Sequence, residues 1–168
     1  MAATGSSTVT IRHELKPGDL GMIVHLHGVL YAREYGLDTT FEPYVAKPLS
    51  DFVLSGSGRL WIAEDGGRIL GSIAVVDAEE GVGQVRWFLL APEARGKGLG
   101  WQLVQVALAY CRERQFRRVF LWSFSDLDAA LTLYERAGFA VTERKKLPMW
   151  GAERTEVRMD LDLANTPV

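Results

Sequence analysis

Pro92-Glu93-Ala94-Arg95-Gly96-Lys97-Gly98-Leu99-Gly100 joins a mostly apolar run ending in Leu89-Leu90-Ala91 to a segment that carries Leu99, Leu103, Val106, Ala107 and Tyr110 at helical spacing. Proline cannot continue a ladder in a central strand, so the apolar run from 84 to 90 is a strand that stops at Pro92. The following segment is a helix to about residue 113, with one apolar face. A strand that turns into a helix gathers free backbone N–H groups and the positive end of the helix dipole, which together bind anions. Three glycines let the backbone approach the anion closely, and Arg95 and Lys97 add charge suited to phosphate. A diphosphate is the natural ligand. A Walker loop is excluded because Lys97 is followed by Gly98 and one residue separates Gly96 from Gly98. A dinucleotide fingerprint is excluded because position 101 is Trp101, and Val119-Phe120-Leu121-Trp122 stands where its acidic residue belongs. What remains is Arg/Gln-x-x-Gly-x-Gly, met at Arg95, Gly98 and Gly100.

On the N-terminal side, Val9 and Ile11 alternate with polar residues as a half-buried strand, and Pro17-Gly18-Asp19 supplies a stop and a helix cap at Asp19. Leu20, Ile23, Val24, His27, Leu30 and Tyr31 trace an amphipathic helix that ends at Gly36. A loop from 37 to 43 and a shorter helix over 45–54, with Pro48 in its first turn, come next. The segments 60–64 and 69–76 flank Asp65-Gly66-Gly67 and predict a hairpin. On the C-terminal side, 119–122 reads as a buried strand. Asp126 caps a helix with Ala130, Leu133, Tyr134 and Ala137 inward and Gly138 at its end. Strands at 140–144 and 155–161 finish the chain, the last with Val157, Met159 and Leu161 inward. The strand–helix–strand unit between Val85 and Trp122 forces a parallel pairing. The result is an α+β domain with a mixed sheet over 9–163, preceded by a disordered leader at 1–8 and followed by a tail at 164–168.

With 168 residues, 48% of them apolar and 24% charged, the chain suits one soluble core. A formal net charge of -2 disfavours nucleic acid and anionic membrane as partners. One cysteine, Cys111, makes neither an internal disulfide nor a Cys-rich metal site, which fits a reducing cytoplasm and no metal. No apolar run reaches transmembrane length.

Two stretches together resemble the GNAT superfamily of acyl-CoA N-acyltransferases: Phe88-Leu89-Leu90-Ala91-Pro92 leading into Arg95 through Gly100, and Leu133-Tyr134-Glu135-Arg136-Ala137-Gly138-Phe139. The resemblance implies a mostly antiparallel sheet with a splayed parallel strand pair and helices on both faces. It implies acetyl-CoA as co-substrate and an amine as acceptor, acetylated by direct attack in a ternary complex. By that likeness the backbone of Phe88, Leu89 and Leu90 holds the pantetheine arm, and the amides of Gly96, Lys97, Gly98, Leu99 and Gly100 beside Arg95 hold the pyrophosphate. Tyr134 matches the general acid, although taken alone it reads as a core residue beside Leu133 and Ala137.

Ser125 stands where the family frequently has an asparagine; it reads either as a pantetheine partner or as part of the helix cap at Asp126. No side-chain base appears among Gln84, Val85, Arg86 and Trp87, so a water chain is expected, with Glu34, Glu42, His25 and His27 as relay candidates. His27, on an apolar stripe, reads better as a satisfied core histidine. Tyr31, Tyr35, Phe41 and Glu42 are expected in the acceptor pocket, as aromatic walls with one carboxylate. An amino-acid amine, a polyamine, an aminoglycoside and a protein N-terminus all fit as acceptor. Arg112, Arg114, Arg117 and Arg118 read as a solvated helix end. Cys111, in mid-helix, is a poor site for a covalent acyl route. A non-catalytic acyl-CoA sensor on the same fold and a module for an acidic polymer are the rival readings, and a homodimer is compatible with all of them.

Overall fold

A computed structural model describes residues 8–165, so most of the leader at 1–8 and the last three residues of the tail at 164–168 lie outside the described residues. Seven strands form one sheet: β1 (Thr10–Arg12), β2 (Gly58–Asp65), β3 (Arg68–Glu79), β4 (Val82–Leu90), β5 (Arg118–Phe124), β6 (Ala140–Met149) and β7 (Ala152–Asp162). Their spatial order is β1-β2-β3-β4-β5-β7-β6, antiparallel throughout except for the parallel pair β4 and β5. Helices α1 (Asp19–Tyr35) and α2 (Phe41–Ser55) precede β2, α3 (Leu99–Glu113) joins β4 to β5, and α4 (Asp128–Arg136) follows β5.

Both faces of the sheet are covered, which explains why β2 reads as an unbroken buried run from Leu60 to Ala63 rather than an alternating one. Leu60, Ile62 and Ala74 face Ile23, Val45 and Leu49 of α1 and α2. Trp61, Ala63, Ile73 and Val75 face Leu103, Ala107 and Leu108 of α3. The edge strand β6 is largely exposed and carries Arg144, Lys145 and Lys146, charges that discourage edge-to-edge pairing.

Three local expectations are corrected. Asp19 does not cap α1: Gly18 occupies that position with φ 94°, and the buried Asp19 carboxylate accepts from Arg12 (2.8 and 2.9 Å) and from the Lys16 amide (2.7 Å), tying β1 to the helix. Helix α2 begins at Phe41 rather than 45, because Pro43 is tolerated in a first turn and the buried Phe41 anchors that turn in the core. Its Pro48 therefore lies inside the helix. Asp126 pairs with Arg154 (3.0 Å) instead of capping α4, which starts two residues later. The hairpin turn is made by Gly66 and Gly67, both at positive φ, the geometry that follows the twist of the flanking strands.

One irregularity positions everything below. In the β3–β4 ladder Ser72 pairs with Leu89 and Ala74 with Arg86, so β4 carries an extra residue opposite Ile73. Trp87 sits in this bulge at φ 48°, a conformation that bulky residues rarely adopt and that stores of order 1 kcal/mol of strain. The buried Ser72 hydroxyl donates to the Trp87 carbonyl at 2.7 Å and holds the bulge. Ser72→Ala should lower the unfolding free energy by ~1–2 kcal/mol, because a buried carbonyl loses its donor. A reduced urea midpoint at unchanged slope is the expected readout; an unchanged midpoint would show that the bulge holds itself.

Candidate functional site

The parallel ladder between β4 and β5 ends at Val85 and Leu121, although β4 continues to Leu90 and β5 to Phe124. From Arg86 onward the two strands part. The edge of β4 that faces β5 then has no strand partner, and unpaired backbone groups are costly until a ligand or water satisfies them.

Above the parted strands, Gly96 (φ 73°) and Gly98 (φ 80°) turn the chain into α3 in a backbone conformation open to glycine. A Cβ at either would meet nothing within 4 Å, so backbone conformation rather than crowding demands glycine there. Gly100 has the opposite reason. A Cβ there would lie 3.0 Å from Leu90 and 3.3 Å from Leu133, so glycine lets α3 approach β4 and α4. No side chain caps α3. Among the described residues, the amides from Gly96 to Trp101 donate to no backbone carbonyl, leaving a cradle of donors at the positive end of a 15-residue helix.

Two cavities meet at the parted strands. One, of about 310 Å³, lies under the cradle and is lined by Phe88, Leu89, Leu90, Arg95, Gly96, Gly98 and Gly100, with Tyr31, Glu34 and Tyr35 from α1 and Leu133 and Arg136 from α4. The other, of about 110 Å³, is lined by His27, Tyr31, Phe41, Tyr44, Arg86, Trp87, Phe88, Trp122, Phe124, Tyr134, Trp150 and Glu156. Tyr31, Phe88, Leu127 and Ala130 line both, so the first cavity opens toward the second at Phe88.

Tyr134 stands in the smaller cavity, edge-on to Phe88 (5.7 Å between ring centroids) and to Phe139 (5.9 Å). Among the described residues its hydroxyl has no hydrogen-bond partner. Burial raises its pKa well above the ordinary 10, so the hydroxyl stays protonated across the working range of pH. Tyr31 is shifted upward for the same reason.

The expected site residues are not all together. Arg95 lines the larger cavity, but its guanidinium is engaged by Glu34 (2.9 Å to each carboxylate oxygen) and by the Leu90 carbonyl (2.9 and 3.1 Å). It clamps the end of β4 to α1, and Glu34 is thereby occupied. Lys97 lines neither cavity but a separate depression with Glu93 and Gln102, and the Leu99 side chain is in the core, so that residue offers only its amide. Tyr31 and Tyr35 lie at the cavities, whereas Glu42 is exposed and packs over Gly28 without lining either. Ser125 also lines neither, and since α4 begins at Asp128 it does not cap that helix. His25 is exposed. The basic cluster sits at the far end of α3, ~22 Å from the cradle at 1.5 Å per residue, where Arg114 pairs with Asp77 (3.1 Å) and Arg118 with Glu79 (3.3 Å). Cys111 is buried in the core with its thiol pushed up to about 12, which removes the reactive thiolate.

Among the residues at the cavities that escaped the sequence reading are Arg86, Arg136, Trp150 and Glu156. Arg136 stacks on Trp101 at 4.1 Å and brings a cation to the larger cavity. Arg86 and Glu156 bring opposite charges to the smaller one. The available signal for Arg86 was a single charge inside the apolar run from Val85 to Leu90. Trp150 closes the smaller cavity from the β6–β7 turn, its carbonyl bonded to the Asp38 amide (3.1 Å), a contact that no local pattern announces. Among the described residues no helix is long and apolar enough to cross a membrane, and no group of three or more His, Cys, Asp or Glu gathers as a metal site.

Residues 29–139 match the Acetyltransferase (GNAT) family. A mycothiol acetyltransferase of Geodermatophilus obscurus is 41% identical over 85 residues, covering 47% of this chain and 28% of that protein. N-acetyltransferase family 8 member 2 of Rattus norvegicus is 32% identical over 111 residues, 59% of this chain and 49% of that protein. The chain therefore spans less than half the length of these curated relatives. In fold, yncA of Salmonella typhimurium, solved with its cofactor acetyl-CoA, aligns at a TM-score of 0.71 and 19% identity over 95% of this chain and 96% of that one.

His27 yields a stability prediction. It is buried in α1 with Nδ1 2.8 Å from the Ile23 carbonyl, so Nδ1 carries the proton and donates. Burial lowers its pKa from 6.5 to about 4. Between those values the unfolded chain binds a proton that the folded chain refuses, so stability falls as pH drops from 6.5 toward 4, by at most ~1.4 kcal/mol per pH unit from this group. His27→Gln, which retains a donor for the Ile23 carbonyl, should flatten the slope of Tm against pH in that window. An identical slope in the variant would mean that other groups set it.

Proposed function

The chain belongs to the Acetyltransferase (GNAT) family, and from that premise we propose that it is an N-acetyltransferase, moving the acetyl group of acetyl-CoA to a primary amine by direct attack in a ternary complex. The observation that carries the reading is the parting of β4 from β5 directly beneath a cradle of unpartnered amides, with Tyr134 in the smaller cavity against Phe88, where the two cavities meet.

The donor set fits a phosphorylated, thioester-bearing molecule. Amides of Gly96, Lys97, Gly98, Leu99 and Gly100 would take the pyrophosphate, with the cation Arg136 beside them, while Arg95 braces the loop through Glu34 rather than spending its charge on phosphate. The unpaired edge of Phe88, Leu89 and Leu90 would take the amide-rich pantetheine arm as a missing strand would. Acetyl-CoA supplies the acetyl carbon, whose bond to sulfur breaks as the amine lone pair forms the new C–N bond. Tyr134 gives its phenolic proton to the departing sulfur and regains one from solvent. Its raised pKa keeps the phenol protonated, so that the proton is in place when the sulfur departs. The amine loses its proton to water through the smaller cavity, with the Nε2 lone pair of neutral His27 on the wall. Tyr31 and Tyr35 shape the approach of the acceptor. Glu42, outside the lining, and Ser125, beyond the end of β5, would act only through other residues. Work in the cytoplasm, as a monomer or a homodimer, is compatible with this chemistry.

Acetyl-CoA and CoA should both raise Tm, since the cradle of amides forms, and binds, in the folded state only. No rise at millimolar acetyl-CoA would end the acetyltransferase reading. Gly98→Val should abolish the rise by forcing the loop out of its left-handed conformation.

Tyr134→Phe should keep the acetyl-CoA shift and lower kcat on the true acceptor by on the order of a hundredfold, as loss of a general acid does. Wild-type turnover in this variant, followed by thiol release, would reduce Tyr134 to a packing residue.

A further inference from the structure

Arg86 is a cation inside an apolar strand, at the first position after β4 leaves β5. It is half-buried, its guanidinium carbon rests 4.8 Å from the centre of the Trp87 ring, and among the described residues it forms no ion pair. Burial lowers its pKa, the mark of a charge withdrawn from water without compensation. Glu156, on β7, lines the same cavity. It is also half-buried, and among the described residues its carboxylate has no hydrogen bond or ion pair. The two charges are not paired with each other, yet both act on Tyr44, which Arg86 pulls one way and Glu156 the other. One small cavity therefore presents a free cation and a free anion, walled by Phe41, Phe124 and Trp150.

The arrangement matches a zwitterion in mirror image. We propose that the acceptor is a free amino acid, whose carboxylate seats on the Arg86 guanidinium and whose ammonium is drawn to Glu156 before it is deprotonated and acetylated. The proposal rests on the acetyltransferase reading and names the substrate class of that same site. A guanidinium offers a carboxylate two parallel N–H donors, a fit that an uncharged amine cannot use. A polyamine would bring a second cation toward Arg86, and a peptide N-terminus has an amide where the carboxylate would be. Size agrees: a cavity of ~150 Å³ takes benzene, so about 110 Å³ encloses an amino-acid head group and a short side chain, with anything longer reaching out of the mouth.

The test is a panel of free amino acids, from α- to ω-, each set against its carboxamide and its decarboxylated amine, with acetyl-CoA and thiol release as the readout. At least one free amino acid should be turned over with a kcat/KM roughly tenfold to a hundredfold above both counterparts, the span of a charge-assisted bidentate contact. Arg86→Gln should erase that preference mainly through KM, while Arg86→Lys keeps part of it. The acetyl-CoA shift in Tm verifies that each variant is folded with its cofactor side intact. Equal use of the amide or the amine overturns the proposal, as does a preference that survives in Arg86→Gln. Absence of turnover with every free amino acid, in protein that acetyl-CoA stabilises, also overturns it and leaves the acetyltransferase reading standing. Absence of any acetyl-CoA shift in the wild-type chain is a separate result, which removes that reading and the proposal with it.

Discussion

The hydrogen bond from Ser72 to the Trp87 carbonyl holds a residue in a conformation that its side chain disfavours, and the candidate site depends on that small strain. With the bulge in place, β4 leaves β5 after four paired residues and opens a wedge in the middle of an otherwise continuous sheet. The wedge lies between two well-packed hydrophobic layers, so it does not simply close: Leu103 and Leu121 hold one face, Ile23 and Val45 the other. A gap with polar walls persists because the surrounding core is too dense to collapse into it.

Charge is distributed around this wedge with a division of labour. Where a cation would seem free to meet phosphate, Arg95 is neutralised by Glu34 and serves as a strap between α1 and the end of β4. The binding capacity of the loop thus resides in backbone amides, which lose little rotamer entropy on contact with a ligand. Arg136 adds one cation beside them, whereas the other cavity holds charge of both signs, at Arg86 and Glu156.

Much of this was legible in the sequence because it is local. Helix α1 stops where Gly36 stands, the first hairpin turns at consecutive glycines, and the strand, glycine loop and helix from Val82 to Glu113 follow from a proline, three glycines and a 3.6-residue period. The errors were also local, at Asp19 and Asp126, where a carboxylate was read as a helix cap but a distant arginine claimed it. Pro43 and Pro48 masked the first turn of α2, although the first turn tolerates proline. The features that escaped altogether are pairings across long sequence separations: Ser72 with Trp87, Arg95 with Glu34, and Asp38 with Trp150. No periodicity encodes them, since each depends on the completed sheet to bring its partners within reach.

The turn at Trp150 and Gly151 seals one wall of the smaller cavity, with the Trp150 ring against Phe41, Tyr44 and Phe124 and Gly151 at the surface beside Asp38. Most of the cleft is built from strand and helix, where almost any exchange disturbs the core, and one wall from a surface connection that tolerates replacement and insertion. Selection acting on such a molecule can retain one reaction and adjust its clientele, because one wall of the cleft can change while the strands that carry the rest stay as they are.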